Sequence, residues 1–382
     1  IIDPTLIWGT LMDGNFTSGS PFDEYLYAIE LDTITGILYC GGATNRNLPT
    51  TSAPYDADGY LNTITGLTGG SNVDYRAAVL YRISSTGLDL VDLTLFGPAT
   101  IATGQHVRIH ALSVTPNRVF VGGNCDVAIP LAGASFDATR NNTDGWVAQF
   151  SKDLGTLYYS TYLGGTGNET DGVISLKALS DETFIYAMTA AADLLHAGPT
   201  YFGAAAYDTT FNGGSDMYIG KFAGATVNKL TWGTYIGGAQ NETINDIAIA
   251  PDGRVAFAGW GASLMTEVDS CVTATRSYAT NNNDGIIGVL TSNGITMDYL
   301  DEIGGSGTDE IGDIEIYSDT LYWTGDVQTG FPVSTSGVYD NTFNGGISDA
   351  VIGKCYAGGI TGYKATFFGG NGTVGSTGDV GN

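Results

Sequence analysis

Tyr159-Ser-Thr-Tyr-Leu-Gly-Gly165 is the stretch on which the reading of this chain turns. The phrase returns as Trp232-Gly-Thr-Tyr-Ile-Gly-Gly238, Leu300-Asp-Glu-Ile-Gly-Gly305 and Lys364-Ala-Thr-Phe-Phe-Gly-Gly370. A weaker copy is Leu93-Thr-Leu-Phe-Gly-Pro98, and the weakest is Trp8-Gly-Thr-Leu-Met-Asp-Gly14. The first Gly of the pair falls at 97, 164, 237, 304 and 369, a period of about 68 residues, within the range of solenoids, propellers and arrays.

Three other phrases keep step with it. An Ile/Val-rich strand follows, at His106–Val114, Val173–Leu179, Ile244–Ala250 and Ile311–Tyr317. Next comes an aromatic or β-branched strand ending in Gly, as in Leu38-Tyr-Cys-Gly-Gly42, Val119-Phe-Val-Gly-Gly123, Ala256-Phe-Ala-Gly259 and Leu321-Tyr-Trp-Thr-Gly325. Then an Asp precedes an alternating strand: Asp74 before Ala77–Ile83, then Asp144, Asp216, Asp284 and Asp349. Four short strands per unit with no helix between them predict an all-β chain, a β-propeller of four-stranded blades. One such unit cannot bury both faces, and stacking the units does. The repeats run approximately 15–98, 99–165, 166–238, 239–305 and 306–370, within a single domain spanning 1–382. Residues 1–14 hold an extra strand (5–12) and 371–382 a tail. Twenty-one strands leave two readings open: five blades with a spare N-terminal strand, or an incomplete sixth blade completed by missing sequence or a neighbouring chain.

These residues resemble the SBBP-type β-propeller repeat of secreted and cell-surface proteins of bacteria and archaea. The closest copies are Tyr158–Gly167 and Tyr207–Phe222, with the loop Thr210-Phe-Asn-Gly-Gly-Ser-Asp216 and its repeat Thr342-Phe-Asn-Gly-Gly-Ile-Ser-Asp349. The resemblance covers nearly the whole chain. It is weak over 15–90, where a loop at about 51–73 is inserted. It implies a fold and an extracellular or cell-surface location, but no shared catalytic site.

Composition agrees with strands and turns. Gly is 56 of 382 residues, about twice its usual share. Asp outnumbers Glu 31 to 9, and Asp favours turns by bonding its own nearby backbone. The best helical candidate, the Ala-rich stretch Ala190–Leu195, is only a turn or two long. With Lys+Arg 14 against Asp+Glu 40, the net charge is −26. That excludes a basic surface for nucleic acid and a polybasic face for anionic lipid. No run approaches the 18 apolar residues of a membrane span. Ile1-Ile2-Asp3-Pro4 reads as a processed, mature N-terminus. Cys40, Cys125, Cys271 and Cys355 form no CxxC pair, so buried thiols or one disulfide remain open.

Candidate chemistry is sparse. The in-register Asp residues read as a ring of cation or carbohydrate ligands, or as caps on the turn into each strand. The cap reading is preferred, because every repeat has the same structural need. Asp56-Ala-Asp58-Gly59 resembles the start of a calcium loop, but Tyr60 stands where a third ligand belongs. It also aligns with Tyr207-Asp208 and Tyr339-Asp340, which look like Asx-turns. Calcium is therefore the one cofactor considered. Asp301 and Glu302 replace the Thr and Tyr of the parent phrase, and a glycosidase would need an opposed second carboxylate, from Glu267, Asp269 or Asp193. His106 and His110 share a face, as a metal pair would, only if no bulge intervenes. Asn15, Asn141, Asn168, Asn241 and Asn371 head Asn-x-Ser/Thr sequons, acceptors for glycan on surface turns. The expected function is a secreted, non-enzymatic surface or appendage protein, structural or adhesive. Its expected partners are copies of itself, cell-surface components or glycans. It would neither bind nucleic acid nor insert in a membrane, and assembly by strand exchange is considered. The alternative is a carbohydrate-binding module or glycosidase.

Overall fold

Each repeat folds as one antiparallel sheet whose strands keep chain order. The structure is a computed structural model that describes residues 25–44, 77–87, 90–98, 104–194, 206–223, 230–262, 283–357 and 362–369. The first sheet joins β1 (Tyr25–Leu31), β2 (Leu38–Thr44), β3 (Ala77–Ile83) and β4 (Leu90–Phe96). The second joins β5 (Val107–Val114), β6 (Arg118–Cys125), β7 (Asp144–Ser151) and β8 (Leu157–Leu163). The third holds β9 (Val173–Ala178), β10 (Phe184–Ala190), β11 (Asp216–Phe222) and β12 (Leu230–Ile236). The fourth holds β13 (Glu242–Ile249), β14 (Val255–Gly261), β15 (Asp284–Leu290) and β16 (Met297–Ile303). The fifth holds β17 (Glu310–Tyr317), β18 (Thr320–Val327), β19 (Asp349–Tyr356) and β20 (Lys364–Phe368). Five four-stranded antiparallel meanders in chain order are five β-propeller blades.

The extra strand expected at 5–12, the tail 371–382 and the loop at about 51–73 lie outside the described residues. So do Asp56, Asp58, Asp74, Glu267, Asp269, Cys271, Asn15 and Asn371. Among the described residues there is no α-helix, and none long and apolar enough to cross a membrane. The Ala-rich helical candidate is corrected in part: Ala190 ends β10 and residues 191–193 are not helical, while Leu194 begins a 3-10 turn at the limit of the described residues. Met188 and Ala190 are buried, and the Leu194 N–H is taken by the Tyr235 hydroxyl at 2.7 Å. Tertiary packing outweighs the helix preference of alanine here.

The Gly-ended phrase of the second strand answers a bulge in the first. The register slips between Ile109 and Ala111, between Ile244 and Asp246, and between Ile311 and Asp313. The bulge pushes a carbonyl toward the neighbouring strand. A Cβ on Gly123 would run into the Arg108 carbonyl, and one on Gly259 into that of Thr243. The glycine inside the third strand has a different cause. The Trp323 ring covers Gly353, and the Phe257 ring covers Gly288. A large aromatic on one strand thus fits because its neighbour has no side chain.

The chain falls into two compact units, one built from β1–β9 and the other from β10–β20, with Phe184 and Phe222 counted to the first. In the first unit Tyr39, Leu80 and Phe96 pack with Val107, Ile109, Trp146 and Phe150. The Phe96 and Trp146 rings lie 4.8 Å apart. In the second, Ala256, Ile287 and Tyr299 pack with Ile311, Ile314, Trp323 and Phe367. Some apolar side chains of the first and fifth sheets stay exposed. Leu26, Ile29 and Leu31 on β1 are exposed. Ile352 on β19 is 49% exposed, whereas Ile287, which also precedes the third-strand glycine, is fully buried.

Candidate functional site

The recurring aspartates sit where the chain turns into the third strand of a blade. Asp144 Oδ2 accepts the Asn141 N–H at 3.0 Å, Asp216 Oδ2 that of Asn212 at 2.9 Å, and Asp349 Oδ2 that of Asn344 at 2.9 Å. All three are fully buried. They cap turns, as one structural need per repeat requires. Asp208 and Asp340 form the expected Asx-turns, each Oδ1 accepting the N–H two residues on at 2.8 Å.

A second acid stands beside the capping Asp in three of the repeats, and sequence reasoning missed it. Glu169, Glu242 and Asp309 stand five residues after the first Gly of the Gly-Gly phrase and are fully buried. Their N–H groups bond the carbonyls of Thr143, Ser215 and Asn283, each just before a capping Asp. Gly238 donates its N–H to Glu242 Oε2 at 2.7 Å, and Gly305 its own to Asp309 Oδ2 at 2.7 Å. A Cβ on Gly164 would lie 2.7 Å from Asp144 Oδ1 and 2.9 Å from Glu169 Oε2. On Gly237 it would lie 2.6 Å from Asp216 Oδ1 and 2.8 Å from Glu242 Oε2. Burial raises Asp144, Asp216 and Asp309 to about 6. The Glu242 charge adds to the effect at Asp216, while backbone N–H groups pull all three back. The signal was visible as an acid in fixed register, but Glu169 and Glu242 are the middle residues of Asn-Glu-Thr and read there as part of a sequon.

Asp301 and Glu302 occupy the places where other blades clamp a loop. Thr161, Thr234 and Thr366 each accept the N–H of a loop aspartate at 2.8 Å. The hydroxyls of Tyr162 and Tyr235 accept N–H groups from Ile129 and Leu194. Asp301 and Glu302 are both buried, and the Tyr299 hydroxyl donates to Asp301 Oδ2 at 3.0 Å. They face opposite sides of β16, as successive strand residues must. Asp193 is half-buried.

The histidines do not form a metal pair. His106 precedes β5, and the bulge between Ile109 and Ala111 displaces His110. The His110 ring bonds the Asp171 carbonyl through Nδ1 at 2.8 Å and packs edge-on to Tyr27. Burial lowers its pKa. Among the described residues no three His, Cys, Asp or Glu side chains gather as a metal cluster. Cys40, Cys125 and Cys355 are free, buried thiols, and burial pushes Cys40 up to about 11. Asn141, Asn168 and Asn241 are exposed.

The blades, with their turn caps and loop clamps, define a β-propeller. No family model matches the sequence, and no curated protein matches it. Among solved structures the chain is similar to the β-propeller domain of the Trilobed protease from Pyrococcus furiosus, at 10% identity and a TM-score of 0.31, over 89% of this chain and 92% of that one. The propeller assignment rests on this chain's own strand order and register.

Proposed function

We propose that the chain is a secreted, non-enzymatic β-propeller module of a cell surface or appendage, and that it assembles with further copies of itself. One observation carries the reading: large apolar side chains stay exposed on the first and fifth sheets. On the first sheet, exposed Leu26, Ile29 and Leu31 border a cluster of Leu38, Leu90, Leu93 and Leu95 around Cys40, Val79, Tyr81 and Ile83. On the fifth, Tyr317, Tyr322, Ile352, Tyr356 and Phe368 are exposed. Neighbouring blades bury such faces against each other. An exposed apolar patch of this kind marks an association surface, and a second copy offers the same sheet chemistry.

The resemblance of the Tyr159–Gly165 phrase to the SBBP-type repeat supports the secreted location. Buried Asp301 and Glu302 fit a structural role better than the water-accessible carboxylate pair that glycoside hydrolysis needs. Sedimentation of the full chain over a wide concentration range tests the proposal. Reversible association that is weakened by Ile29→Lys is expected. A strictly monomeric protein would rule out assembly, and glycoside hydrolysis abolished by Glu302→Gln would rule out the non-enzymatic reading.

A further inference from the structure

Asp144 faces Glu169, and Asp216 faces Glu242, with all four fully buried. In each pair both facing oxygens lie within 3 Å of the position that a Cβ on Gly164 or Gly237 would take. The two oxygens are therefore less than 6 Å apart. Oδ1 of Asp144 and Oδ1 of Asp216 are shut off from water and have no hydrogen-bond donor, since the turn N–H groups go to Oδ2. A buried anionic oxygen aimed at a second carboxylate is costly. One proton shared by the pair removes a charge and supplies the missing donor at once.

We propose that the Asp144–Glu169 and Asp216–Glu242 pairs are proton-binding sites, each loading one shared proton in mildly acidic solution and releasing it in alkaline solution. The junctions between consecutive repeats thereby tighten on acidification. Burial already raises both aspartates to about 6. The other groups facing them do not cancel this. Asp144 feels Asp137 and Arg140 of opposite sign, with Cys125 and Tyr162 close by, and Asp216 feels Asp208 besides Glu242. Asp309 provides a comparison within the molecule. It holds the place of Glu169 and Glu242 and accepts the Gly305 N–H at 2.7 Å as Glu242 accepts that of Gly238, but its other oxygen takes the Gln328 N–H at 2.8 Å, and burial raises it to about 6 as well.

The test is an infrared titration of the full-length protein from pH 8 to pH 5, with thermal unfolding of wild type, Glu242→Gln and Glu169→Gln at both ends. A protonated-carboxyl carbonyl band is expected to grow as pH falls through about 6, well above the range of ordinary carboxylates; Asp309 contributes to it in every variant, so the share of each pair is the part lost in its Gln variant. The Gln variants, whose amide donates to the Asp oxygen at every pH, should melt at least as high as wild type at pH 8. They should lose that advantage at pH 5. A wild-type titration without such a band overturns the proposal even if the variants fail to fold. So do Gln variants destabilised equally at both pH values. Stabilisation at pH 8 by calcium ions but not magnesium ions would also overturn it, in favour of a cation site.

Discussion

The Thr234 hydroxyl accepts the backbone N–H of Asp208 at 2.8 Å and donates to the Asp208 carbonyl at 3.2 Å. The Tyr235 N–H reaches the same carbonyl at 3.0 Å. Thr161 holds Asp137, and Thr366 holds Asp340, in the same way. One hydroxyl in the recurring phrase thus ties the loop between a blade's second and third strands onto its fourth strand. Thr234→Val keeps the shape but leaves a buried N–H without an acceptor. It is expected to cost about 1–3 kcal/mol, while Thr234→Ser should cost much less. Urea unfolding midpoints of the two variants check this.

The Trp323 ring lies where a Gly353 side chain would stand, and the Phe257 ring where one at Gly288 would. Gly288→Ala should therefore destabilise the protein by about 1–3 kcal/mol through overpacking. Adding Phe257→Leu should recover part of that loss. A double-mutant cycle on unfolding free energy reads the coupling, and additive effects would contradict the contact.

Lys152 Nζ bonds Asp32 Oδ2 at 2.7 Å and the Thr115 carbonyl at 3.0 Å. Burial works against ionised Asp32, but Lys152, the Thr35 hydroxyl and the Ile34 N–H hold its pKa down to about 2. A lowered carboxylate pKa contributes stability that is complete above the unfolded value and lost as pH falls through the folded one. Lys152→Met is expected to cost about 1–2 kcal/mol at neutral pH, since Lys152 is partly solvated. The gap should close between about pH 4 and 2. Denaturant unfolding of both proteins at stepped pH measures it.

Asn141, Asn168 and Asn241 are exposed in their sequons. Under the proposed surface role, expression in an N-glycosylating host should place glycan on them, visible by peptide mass spectrometry. Complete absence of glycan at all three would count against these sites.

Strand order was legible because its cues are local. The Gly-Gly phrase, the capping Asp and the Asx-turns are each set by a few adjacent residues. Phe184–Ala190 is harder to place as a second strand, because Ala187 and Met188 stand where other repeats carry glycine. The first strand of the first blade, Tyr25–Leu31, lies in the most divergent repeat. The bulge that separates His106 from His110 depends on pairing with β6, which no local pattern announces. The pairing of Asp144 with Glu169 and of Asp216 with Glu242 was hidden for the same reason. Residues some 25 positions apart meet only once one blade's turn packs against the start of the next.

Electron microscopy of the full chain at rising concentration is the decisive measurement for self-assembly. Joined particles are expected in which exposed Leu26, Ile29 and Leu31 of β1 are covered by a neighbouring copy, reverting to single particles in Ile29→Lys. Single particles at every concentration, or joined particles that leave these β1 side chains bare, rule out assembly through β1.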